Sequence, residues 1–136
     1  MEPRLITHNK EILAMFYSKD ISANGSIKFL TPAEYPIQIG LIEHANGKKV
    51  VPHIHRDLFY DINTTQEFLY IEKGRGIVAT IFTKDWIEVE KVTLNAGDSI
   101  LFVGGGHGVD IPSGCRILEV KQGPYPGDAQ AKIFKP

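Results

Sequence analysis

Apolar and polar positions in this chain follow two regimes. Ahead of Gly25 one stretch has helical spacing: Asn9 can cap it, Glu11 sits in its first turn, and Ile12, Leu13 and Phe16 form an apolar stripe. That spacing predicts a short N-terminal helix, with Asn24-Gly25 closing the region as a turn. From Ile27 onward the period is two. Strands are predicted over residues 26–30, 36–44, 48–55, 66–73, 76–83, 87–94, 99–103, 108–112 and 115–122. Turn material separates them, including Asn46-Gly47, Lys73-Gly74, Lys84-Asp85, Asn95-Ala96-Gly97-Asp98 and Pro112-Ser113-Gly114. Many short strands in one small chain predict an all-β, antiparallel sandwich or barrel. The run from Gly123 to Gly127 cannot continue a strand and is expected to lie along the surface.

Composition narrows the function classes. The 136 residues are a prior for a single domain, 1–136, and 15 Lys+Arg against 16 Asp+Glu leave no basic surplus for nucleic acid. No apolar run is long enough to span a bilayer, and Met1-Glu2-Pro3-Arg4-Leu5 does not read as the start of a signal peptide. The lone Cys115 cannot form an internal disulfide and reads as a small apolar residue. The expectation is a cytoplasmic domain with no nucleic-acid or membrane partner, taking a small-molecule ligand.

The five histidines carry the chemistry. His53 and His55 stand two apart in a strand-like run, so their side chains leave one face and can form a bidentate site for a divalent metal. Glu67 shares a face with Leu69 and Ile71; either it points inward, where a metal would compensate a buried carboxylate, or Phe68 and Tyr70 point inward and Glu67 meets water. His107 lies in Gly104-Gly105-Gly106-His107-Gly108, where glycines permit close backbone approach to a site, although a solvated loop histidine is the plain alternative.

Taken in order, Gly47, His53-x-His55, Glu67 and Gly74 resemble the first signature motif of the cupin superfamily, and Gly97, Val103-Gly104-Gly105 and His107 resemble the second. Eleven residues separate His55 from Glu67, more than the family's usual gap. Val103 stands where the family has proline, and His107 comes one residue early. The resemblance implies a double-stranded β-helix (jelly-roll) barrel with its core over about residues 27–122. It also implies one divalent transition metal (Fe, Mn, Ni, Cu or Zn) held by His53, His55, Glu67 and His107, with Asp57 or Asp61 as alternative carboxylates. Such an ion would keep open positions for substrate.

Around this centre, Arg56 and Tyr60 in the insertion are either substrate contacts or part of a loop that simply packs over the barrel end, with His44 a weaker substrate candidate, while His8 is expected to be exposed. Glu119 and Lys121 share a face of the last strand; they either meet water or point inward as catalytic acid–base partners. The resemblance implies a metal-dependent enzyme on a small polar molecule. The ending Glu119–Tyr125 is similar to small cupins associated with surface-polysaccharide synthesis, which favours a sugar or sugar-nucleotide isomerase or epimerase. A metal-dependent dioxygenase, a metal-free isomerase using the histidines as acid and base, and a non-catalytic metal- or ligand-binding module are the alternatives. Sheet edges and apolar outer faces lead us to expect a homodimer.

Overall fold

The computed structural model describes residues 1–136. Ten strands and a single helical turn make up its regular structure. In chain order the strands are β1 (Arg4–His8), β2 (Glu11–Tyr17), β3 (Ile27–Phe29), β4 (Gly40–Ile42), β5 (Glu67–Lys73), β6 (Ile77–Phe82), β7 (Glu88–Leu94), β8 (Ser99–Phe102), β9 (Gly106–Asp110) and β10 (Arg116–Lys121), followed by α1 (Asp128–Ala131). No helix is long and apolar enough to cross a membrane.

The predicted N-terminal helix is a β-hairpin instead. Asn9 and Lys10 both have positive φ, 48° and 68°, the backbone of a two-residue turn that matches strand twist, and His8 and Glu11 pair across it. A bulge explains the helical spacing. Pairing runs from Ile6↔Ala14 to Thr7↔Ile12, so Leu13 is an extra residue. Leu13 and Ala14 consequently both enter one apolar cluster, while Ile12 and Met15 join another. A strand buried on both faces also has no polar alternation with which to announce itself.

Two antiparallel sheets face each other. One runs β1-β2-β8-β5-β10 and the other β7-β6-β9; neither closes into a barrel. Their shared core contains Ile6, Leu13, Leu69, Ile71, Ile100 and Phe102 from the first sheet, and Ile77, Ala79, Ile81, Val92 and Leu94 from the second. Each fully buried aliphatic side chain there contributes about 1.5–3 kcal/mol. A smaller cluster lies on the first sheet's other face. There Ile21, Leu30, Tyr35, Ile37, Ile39 and Leu41 cover Met15, Tyr17 and Leu101, with β3 and β4 paired alongside. Burial pushes the Tyr17 phenol well above its ordinary pKa.

Asp98 fixes the predicted turn between β7 and β8. Its carboxylate accepts from the Lys19 N–H at 3.0 Å and the Asn95 N–H at 2.9 Å. Gly97 packs so closely on Lys19 that a Cβ would lie 2.8 Å from the Lys19 Cβ.

The strand predicted over residues 48–55 does not form; this stretch and the insertion after it are irregular and exposed through Thr65. The alternation is present, but Pro52 has no N–H to donate and no neighbouring strand pairs with the run. Periodicity describes a face, whereas a strand exists only through its partner.

Two substitutions test this architecture in urea unfolding. Lys10→Gly removes a side chain from a left-handed turn position and is expected to stabilise by about 0.5–1 kcal/mol. Ile100→Ala opens the inter-sheet core and is expected to cost about 2–5 kcal/mol.

Candidate functional site

Strand register gathers five strand ends at one end of the space between the sheets. Across the first sheet Lys121 pairs with Glu67, and Glu67 with Phe102. Across the second, Phe82 pairs with Gly106 and Ile81 with His107. Leu69, Ile71 and Ile100 make the middle of this space apolar; one alternation further along, Glu67 follows the same inward face and turns its end polar.

Glu67 and His107 meet there, with Glu67 Oε2 3.5 Å from His107 Nε2. Their side chains are only 19% and 30% exposed, which settles the orientation of Glu67 in favour of the inward reading. His107 lies flat on Phe102, ring centroids 3.7 Å apart and planes within 3°, so stacking and the carboxylate together orient the imidazole. The glycines before it allow this approach. Gly105 has φ +67°, and a Cβ on it would lie 2.3 Å from the Phe82 carbonyl oxygen; one on Gly106 would press on Trp86. The hydrogen bond to His107 holds the Glu67 carboxyl below the usual carboxylate range against the opposing effect of burial, with smaller contributions from Glu119 and Lys121.

Glu119 and Lys121 also face inward. Glu119 pairs with Leu69, and Ile117, two residues earlier, packs on the shared core. Lys121 Nζ lies 3.0 Å from Glu119 Oε1 and 4.3 Å from the centre of the Tyr125 ring, whose hydroxyl donates to Asp128. The hydrogen bond with Glu119 raises the Lys121 pKa against the effect of burial, helped by the charges of Glu119, Glu67 and Asp128, so the ammonium is the resting form. On β10 the apolar Leu118 and Val120 face outward and are exposed. The strand's polarity is thus reversed relative to an ordinary sandwich edge.

The remaining candidates lie apart from this cluster. His53 and His55 sit ring to ring at 5.2 Å on the irregular segment, with His53 Nδ1 2.8 Å from the Val51 carbonyl. Arg56, Asp57 and Asp61 are exposed on the same segment. Tyr60 lines an open groove of about 510 Å³ with Thr64, Thr65 and Gln122. His8, at the end of β1, and His44, two residues past β4, are half-buried, so His8 is less exposed than its sequence suggests. Cys115 is half-buried against the shared core. Sequence reading missed Phe102, Tyr125 and Asp128. The inward parity of Ile100 would have found Phe102, but nothing local marks the other two.

One carboxylate beside one imidazole is suitable donor chemistry for a transition metal. No three His, Cys, Asp or Glu side chains come close enough together to hold an ion, however, so in this arrangement the residues do not fit a metal as a set. The cluster as it stands brings together groups able to exchange protons: an ionised carboxylate, an oriented imidazole and a carboxylate-paired ammonium. In comparisons with protein families, curated proteins and solved structures, nothing matches this chain.

Carbon-13 NMR titration of the Glu67 carboxyl should give a midpoint below the ordinary glutamate value, rising in His107→Ala. Because the folded pKa is the lower one, this interaction stabilises the fold above the ordinary glutamate pKa and is lost as pH falls through the folded value. A Glu67 midpoint unmoved by His107→Ala would contradict the pairing.

Proposed function

We propose that this chain is a cupin-type enzyme acting on a small polar molecule, with its reaction centre at the polar mouth between the sheets. The convergence of Glu67, His107, Glu119 and Lys121 at one strand-end cluster carries the reading. An ionised carboxylate beside an oriented imidazole can take a proton from a carbon next to a carbonyl. The Lys121 ammonium can donate a hydrogen bond to the oxygen on which charge develops, and Glu119 keeps that ammonium in place. Proton removal and return of this kind is isomerase or epimerase chemistry, which suits a sugar or sugar-nucleotide substrate.

The jelly-roll barrel and the metal belong to the same proposal. β9, which carries His107, pairs with β6 along one edge and has no strand on the other. Residues 48–55 are an unpaired run with strand alternation, and they carry His53 and His55. Docking of this run on the open edge of β9 would complete the three-histidine, one-glutamate set that the motif resemblance implies. A metal held there would take Glu67 and His107 as ligands and supply Lewis-acid polarisation of a substrate oxygen, and the proton would then be moved by Glu119 and Lys121.

Two measurements test the reading. Mass spectrometry of small molecules co-purifying with the native chain should find a carbonyl-bearing polar compound that is lost from Glu67→Gln and Lys121→Ala; equal retention by all three counts against the site. With added Ni(II), hydrogen exchange over residues 50–55 should slow in the native chain and not in His53→Ala/His55→Ala. Equal nickel content in the two proteins would remove the metal from the proposal.

A further inference from the structure

The segment after β10 has a path that the proposed chemistry does not use. Its root is pinned to the start of β5: the Gln122 side chain accepts from the Gln66 N–H at 2.7 Å and donates to the Thr64 carbonyl at 3.0 Å. Tyr125 then lies against Lys121, which belongs to the five-stranded sheet. The single turn α1 follows, tied internally by Lys132 and Asp128 at 3.2 Å. Near its end Lys135 sits over the Phe82 ring at 5.8 Å, and Phe82 ends β6 in the opposite sheet. The segment therefore starts on one sheet and finishes on the other, at the same strand ends that gather Glu67 and His107.

What holds it is weak and reversible. Beyond β10 its backbone hydrogen bonds are all internal, joining Gln130 and Ala131 to Gly127 and Lys132 to Asp128. Its attachments beyond the Gln122 root are two cations against aromatic rings, with the strap's own partners Tyr125 and Lys135 exposed, contacts that a competing ligand can displace. Ile133 and Phe134, immediately before Lys135, are exposed and add no burial to hold the segment down. One of the two cations is Lys121 itself, so an oxygen of a bound molecule that engages Lys121 competes directly with Tyr125.

We propose that residues 123–136 form a strap across the polar mouth, hinged at Gln122 and latched by Lys135 on Phe82, which controls access to Glu67 and His107. The strap depends on geometry alone and stands whether or not a metal binds or a reaction occurs.

The test is the reactivity of each histidine toward diethyl pyrocarbonate, followed by mass spectrometry in the full native chain and in the full-length Tyr125→Ala/Lys135→Ala variant. Freeing the strap should raise the rate at His107 several-fold while leaving His8 and His44 unchanged. An unchanged rate at His107 overturns the strap, and so does an equal rise at all three, which reports general loosening. Lys135→Ala alone gives a second readout, because Trp86 is the chain's one tryptophan and packs edge-to-face on Phe82. Loss of the latch should increase acrylamide quenching of Trp86 fluorescence; quenching equal to that of the native chain overturns the latch.

Discussion

The packing of the five-stranded sheet on the three-stranded one is the constraint on which the rest depends. Ile71, Ile77, Ile81, Leu94 and Ile100 are fully buried between them and fix the spacing and register of the facing strands. With that register set, the side chain one alternation beyond Leu69 must enter the same space. It is Glu67, and His107 arrives from the opposite sheet because Ile81, its pairing partner on β6, is locked in the core. The polar cluster is therefore held by an apolar one. Its own contacts orient the groups, while the isoleucines determine that they meet.

β10 shows what that arrangement costs. An edge strand normally hides its apolar face and shows its polar one. Here Leu118 and Val120 face outward and Glu119 and Lys121 inward, an arrangement that forgoes hydrophobic burial at two positions. Mutual pairing compensates the charges: Lys121 with Glu119, Glu67 with His107, and the Tyr125 ring against the ammonium. Inverting a strand in this way is unfavourable for folding alone and is intelligible if the inward charges serve a ligand.

A second contrast lies between the strand-paired mouth and the irregular segment that leads into β5. Residues 50–62 expose Val50, Val51, Ile54, Leu58, Phe59, Tyr60 and Ile62, with Ile54 and Phe59 at 93% and 96%. The unpaired outer edge of β9 and this unburied apolar run are complementary deficits, one in backbone pairing and one in side-chain burial. The proposed strand docking would satisfy both together.

The sequence by itself determined the all-β class, eight of the ten strands and the turn at Asn95–Asp98, and it singled out Glu67, His107, Glu119 and Lys121 as candidates. These follow from period-two alternation and turn chemistry, which act over a few residues. It misread β2, because the bulge at Leu13 and burial on both faces imitate helical spacing. It also predicted a strand at residues 48–55, because alternation is local while the partner that makes a strand is not. Only the tertiary structure decided that Glu67 and Lys121 point inward, that Phe102 carries His107, and that Tyr125 reaches Lys121. Those meetings join residues from different strands and from the segment after β10, and their distances are set by how the two sheets pack, which no single stretch of sequence encodes.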